Sequence, residues 1–189
     1  DAFRQDIRKA RDLLEDIAKT PVVAYRAPSF SITRKSLWAL EILAEEGYQI
    51  DSSIFPIHHD RYGIPNANPA IHAIETAQGP LQEVPGSTAR FGGVNVPVGG
   101  GGYLRLYPLR LTTVLLGRVN RKHRRPFILY IHPWELDPEQ PRIRTGSRLS
   151  QFRHYRNLDH TERRLEALMR RFRFGPLSEV LAEATGLPA

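Results

Sequence analysis

The sequence predicts an α/β fold with parallel strands. Two observations carry this expectation. Segments with helical apolar spacing alternate with short β-branched runs along the chain, and a polar side chain closes or follows three of those runs, at Arg26, Asp51 and His132. Alternation of this kind lays helices over a parallel sheet. In α/β barrels the carboxyl ends of the strands form the functional face, so the three polar residues are expected to share one side of the molecule.

The elements are expected in this order. Phe3, Ile7, Ala10, Leu14 and Ile17 recur at helical spacing among charged residues, so residues 2–18 read as an amphipathic helix. Pro21 to Tyr25 is apolar and β-branched, a buried strand, with Arg26 to Phe30 as the loop at its carboxyl end. Thr33 is placed to cap a second helix with Leu37, Leu40, Ile42 and Leu43 on its apolar face, and Gly47 is placed to end it. Tyr48 to Asp51 reads as a short strand ending in a carboxylate. Residues 54–80 are rich in Pro, Asn, His and Gly and read as a long loop or lid carrying minor strands. Leu81 to Val84 can form a further strand.

Gly99 to Gly102 has no side chains, so it either turns tightly or lets a ligand approach the backbone. It lacks the Lys-Ser/Thr of a phosphate-binding loop and the strand–helix setting of GxGxxG, which argues against a nucleotide. Leu109 to Arg121 reads as a helix. Phe127 to Ile131 is the strongest strand signal, and it runs directly into His132-Pro133-Trp134-Glu135. Asp159 with Glu162 makes a capping box before a helix holding Leu165, Leu168, Met169 and Phe172. Gly175-Pro176 opens a last helix through Glu183. No internal repeat is present.

With 189 residues, 41% of them hydrophobic and 25% charged, the composition is that of a globular domain with a sizeable core. No apolar run approaches the roughly 18 residues that cross a membrane, so no membrane span is expected. The absence of Cys excludes disulfides and thiolate metal ligands. The net charge of +7 is concentrated late in the chain, in arginines such as Arg118, Arg121, Arg142, Arg144, Arg163, Arg164, Arg170 and Arg173. Such an excess can attract an anionic polymer or a membrane surface. The plainer reading is a solvated basic face with Glu partners, because no aromatic residues interleave as a base-stacking platform would need. Nucleic acid is therefore not an expected partner.

An imidazole at the end of a buried strand can act as a general acid near neutral pH. A carboxylate on its other nitrogen would fix the tautomer, and Asp51 is the expected partner of His132. A guanidinium such as Arg26 can hold a further carboxylate ionised. Each residue taken singly also has a structural role open to it: a capping Asp, a hydrogen-bonded His, a paired Arg.

The segments Ala24-Tyr25-Arg26-Ala27-Pro28-Ser29-Phe30-Ser31, Asp51-Ser52-Ser53 and Leu129-Tyr130-Ile131-His132-Pro133-Trp134-Glu135 occur in that order. In order and spacing they resemble the last three of five motifs of polysaccharide deacetylases, the NodB-homology group of carbohydrate esterase family four. Gly99 to Leu106 and His132 to Glu135 look closest to a branch associated with exopolysaccharide loci, whose C-terminal extension residues 136–189 resemble. The resemblance implies a distorted (β/α) barrel, with residues 1–135 as its C-terminal part and a helical extension over 136–189 packed on the same domain. It implies hydrolysis of N-acetyl groups on an amino-sugar polysaccharide or oligosaccharide, with a divalent metal, usually zinc, polarising the carbonyl. Within that resemblance Arg26 orients the base carboxylate, Asp51 tunes the acid and His132 protonates the departing amine. Tyr25, Phe30, Tyr103 and Trp134 would line the sugar groove, although core packing suits these rings equally well.

The family's Asp-Asp pair and His-x-x-x-His run are not in this sequence, so no metal ligand is assigned to it. His58-His59-Asp60 does not replace them, because adjacent loop residues tend to point apart, and His72 and His123 are left without a role. The expected partner for this part of the molecule is therefore an N-terminal segment of the same barrel, without which strand edges and apolar surface are left open. Two other readings are kept beside this one. A non-catalytic carbohydrate-binding or assembly relic would bind sugar without metal. A basic nucleic-acid module would bind with a steep salt dependence.

Overall fold

The computed structural model describes residues 1–59, 62–143 and 147–185. Asp60, Arg144 and residues 186–189 of the expected extension lie outside the described residues. The chain is mixed α/β and divides into two compact units, Asp1–Gly86 and Ser87–Ala189. Among the described residues no sheet closes into a barrel.

In the first unit, helix α1 spans Ala2–Ala18, as its apolar spacing predicts. It packs by its N-terminal half. Ile7 is buried and Phe3 lies against the same core, whereas Leu14 and Ile17 remain exposed. Strand β1 (Ala24–Tyr25) pairs in parallel with β2 (Ile50–Asp51), and β2 pairs in parallel with β4 (Gly79–Glu83). Strand β3 (His72–Thr76) runs antiparallel to β4 at the far edge, giving the order β1-β2-β4-β3. The minor strands expected within residues 54–80 thus take the form of one hairpin arm.

Helix α2 spans Trp38–Glu45 and does not begin at Thr33. There the Ser36 hydroxyl accepts the Thr33 N–H (2.9 Å) and the Ser36 N–H reaches the Thr33 carbonyl (2.9 Å), closing a separate turn. Short hydroxyl side chains offer the backbone this alternative to a helix. Gly47, at φ 83°, ends the helix as expected. Arg4 and Arg8 of α1 both bond Glu46, and the bond from Arg8 is the main reason its carboxyl sits below the usual range.

In the second unit, β5 (Thr88–Phe91) and β6 (Val94–Pro97) form a hairpin. Its two-residue turn is Gly92-Gly93, both at positive φ (56° and 84°), a backbone open to glycine. Helices α3 (Gly101–Leu106) and α4 (Leu109–Arg121) follow, then α5 (Arg148–Tyr155), α6 (Thr161–Arg171) and α7 (Leu177–Thr185). The core gathers Val98, Leu104, Leu115, Leu116, Val119 and Leu168.

Two expectations for this unit need correction. Phe127 to Ile131 is extended, with Phe127, Leu129 and Ile131 on the core, but it forms no strand ladder. Its pairing is a single parallel bridge, Gly100 with Tyr130, with the Tyr130 N–H on the Gly99 carbonyl at 2.8 Å. The continuous apolar run reported that these side chains pack on the core and could not report whether a partner strand runs alongside. Asp159 does not cap α6 through a box with Glu162. It lies in a short 3-10 turn, Leu158–His160, and the helix begins at Thr161.

Candidate functional site

Arg26 leaves the end of β1 and is exposed. Its Nε donates to the Ser52 carbonyl (3.0 Å) and its Nη2 to the Ser52 hydroxyl (2.6 Å), and the guanidinium lies 5.6 Å from the centre of the Phe30 ring. Arg26 therefore ties the loop after β1 to the loop after β2. Phe30 is 5% exposed and lies tilted against Phe55 at 4.9 Å, so its ring belongs to the core of the first unit. Tyr25 is half-buried edge-on to Phe3 and Tyr48, and burial pushes its hydroxyl up to about 12.

Asp51 is fully buried. Its carboxylate accepts the Ser53 hydroxyl (2.6 Å) and the Ser53 N–H (3.1 Å). Across the parallel ladder its register partner is Glu83, also fully buried, whose Oε1 accepts the Ile54 N–H at 3.2 Å. Burial, and then the bond and charge of Asp51, push the Glu83 carboxyl up to about 10. The two carboxyls thus favour sharing a proton. Burial also raises Asp51, opposed by its bonds to Glu83 and Ser53.

In the second unit His132 is the last residue of the extended run, with its side chain 57% exposed. The carboxylate at its Nδ1 is that of Glu135, at 3.3 Å, and the same Oε2 accepts the His132 backbone N–H at 2.9 Å. Pro133–Leu136 is a 3-10 turn that brings Glu135 back under His132. The Glu135 side chain is 2% exposed, and its other oxygen accepts Nε of Arg105, equally buried, at 3.0 Å. Nη1 of Arg105 donates to three backbone carbonyls, those of Arg153, His154 and Arg156, at 2.9 to 3.0 Å. Gly101 leaves the room this needs, since a Cβ there would lie 2.1 Å from Glu135 Oε2.

Rings flank this cluster. Trp134 is half-buried, stacks on His154 at 4.1 Å and lies 5.9 Å from His132, and Arg105 lies 5.1 Å from its ring centre. Gln140 donates to the Trp134 carbonyl (2.7 Å) and meets His154 Nε2 (3.1 Å). Tyr103 is half-buried, tilted against Tyr107 at 5.8 Å.

The sequence reading placed His132 correctly at the end of an extended core segment. It gave no role to Glu135 or Arg105. For Glu135 a signal was present: Pro at the first and Glu at the third position of a short turn is a capping arrangement. Arg105, distant in sequence, had none.

The described residues do not fit a metal ion. Among the described residues no group of three or more His, Cys, Asp or Glu is arranged to hold one. His59 stacks on Tyr62 at 3.8 Å, the His72 ring is engaged with the Ala70 carbonyl at 2.9 Å, and the His123 ring accepts the Arg90 N–H at 3.4 Å. No helix among them is long and apolar enough to cross a membrane.

Fold and site together define a mixed α/β protein with an exposed imidazole set on a buried carboxylate–guanidinium pair. The chain belongs to the family described as a domain of unknown function, DUF3473, whose profile matches residues 52–182. No curated protein and no solved structure matches it.

Proposed function

We propose that this chain contributes the proton-donating part of a metal-dependent hydrolase that removes N-acetyl groups from an amino-sugar polysaccharide. In this reading it forms the C-terminal part of a distorted (β/α) barrel of the NodB-homology type. The observation that carries the reading is His132. Its imidazole reaches solvent, and its Nδ1 faces a carboxylate that is itself anchored in the core. Nε2 is then free to act.

Amide hydrolysis needs such a group. Water adds to the acetyl carbonyl, the C–N bond breaks, and the nitrogen must take up a proton to depart as an amine. A positioned imidazole supplies it, typically worth a factor of about 10² to 10⁴ in rate. Tyr103 and Trp134 are the rings of the second unit nearest in kind to a sugar-stacking surface. In the first unit Arg26, exposed at the end of β1, is the residue the resemblance assigns to orienting the base carboxylate. Asp51, buried and already bonded by Ser53 and Glu83, suits a support for the strand ends better than a solvent-facing acid. The zinc ligands and the water-activating base would come from residues outside this sequence.

The test is acetate release from an N-acetylglucosamine oligosaccharide by the full-length protein supplied with zinc. Release is expected, and His132→Ala should lower kcat by about 10² to 10⁴ with bound metal unchanged. Equal kcat in the variant would remove His132 from the chemistry. Oligosaccharide binding without acetate release would favour the carbohydrate-binding relic.

A further inference from the structure

We infer that Glu135, held by Arg105, is the positioning residue for His132: it keeps the imidazole proton on Nδ1 and leaves Nε2 as the exchanging nitrogen. The inference rests on the reading of His132 as proton donor only for its effect on rate. The geometry stands without that reading.

Three features support it. The Glu135 carboxylate cannot drift, because one oxygen is fixed by the buried guanidinium of Arg105 and the other by the His132 backbone N–H. Arg105 in turn cannot follow a moving partner, since its Nη1 is shared by three carbonyls of the segment Arg153 to Arg156. Finally, Gly101 leaves the space the carboxylate occupies, where a Cβ would overlap it at 2.1 Å. The Glu135 N–H, which also lies at the His132 side chain, is given to the His132 carbonyl at 2.9 Å. A carboxylate is an acceptor, so the nitrogen facing it carries the hydrogen. That holds whether the ring is neutral or cationic, and Nε2 gains and loses the exchanging proton. Left to itself a neutral imidazole has no anchor for either tautomer or for its ring plane. The second partner supplies both, as it does for histidines that ligate metals or serve as bases.

The tautomer can be read directly by long-range ¹⁵N–¹H correlation spectra of this chain, with His132 assigned from the spectrum of His132→Gln. Neutral His132 is expected as the Nδ1–H form. In Glu135→Gln that preference should disappear. Should Glu135→Gln fail to fold, Glu135→Asp keeps the charge for Arg105 while withdrawing the carboxylate from Nδ1, and the same loss is expected. An Nε2–H tautomer in the wild type, or an Nδ1–H tautomer unchanged in a folded variant, would overturn the inference. In the full-length protein, Glu135→Gln should lower kcat for acetate release by about 10- to 100-fold with KM little changed, and Glu135→Asp should lower it similarly. If no acetate is released but the tautomer shifts as expected, the proposed function fails and the role of Glu135 stands. If acetate is released and neither tautomer nor kcat responds to position 135, the converse holds.

Discussion

Each unit buries a carboxyl group beside a candidate site residue, and the two do so by opposite means. In the first unit Glu83 lies opposite Asp51 in the β2–β4 ladder, and its Oε2 meets no hydrogen-bond donor among the described residues. Two acceptors facing each other out of water favour holding a proton between them, and burial raises both carboxyls, Glu83 to about 10. In the second unit Glu135 is as deeply buried but sits on Arg105, with a bond to each of its oxygens. A proton-sharing, fully enclosed carboxyl pair braces strand ends. A guanidinium-anchored carboxylate with one edge toward an exposed imidazole can direct a proton. The comparison teaches that burial alone does not mark a functional carboxyl; what satisfies it does.

The largest effect is expected where that satisfaction is removed. Arg105→Met leaves Glu135 buried without its cation and three carbonyls without their donor. Breaking a buried pair in this way costs about 3–5 kcal/mol. Each unit holds one tryptophan, Trp38 and Trp134, so unfolding of the second can be followed through Trp134 in a Trp38→Phe background. A loss below about 1 kcal/mol would show that solvent or another group reaches Glu135.

A smaller effect of distinctive form is expected at Glu83. Its folded carboxyl is raised above the unfolded value, so the folded state holds a proton that the unfolded chain has released. Stability from this group is full below about pH 4.5 and is lost as pH rises toward about 10. The slope over that window is on the order of one kcal/mol per pH unit. Glu83→Gln retains an acceptor for Ile54 and a permanent donor for Asp51. It should flatten the stability-versus-pH profile between pH 5 and 9, followed through Trp38 in a Trp134→Phe background. A slope unchanged by the substitution would mean that Glu83 is ionised and the comparison of the two units fails.

The smallest effect is expected on the basic outer surface of the second unit. Arg170, 81% exposed, faces Glu166 at 3.4 Å one turn away. Arg170→Ala should change stability by no more than about 0.5 kcal/mol, measured by denaturant midpoint. A larger loss would show that the outer arginines of α6 support the fold, as the inner Arg164 does by donating to the carbonyls of Leu104, Arg105 and Tyr107.

The sequence by itself determined α1 and α4 to their ends, because a helix is made of contacts three and four residues apart and its apolar stripe is written in the same spacing. It also placed Arg26, Asp51 and His132 at the ends of extended core segments, and it carried a legible Gly-Gly turn between Phe91 and Val94. It could not show that Phe127 to Ile131 lacks a ladder, since pairing depends on a second segment. Nor could it show which carboxylate serves His132. Arg105, Gly101 and Glu135 meet only because α3, the 3-10 turn after His132 and the Arg153 to Arg156 segment pack together. Proximity between residues thirty or more positions apart, and the buried charge pairing it allows, is a property of the packed chain. No local spacing encodes it.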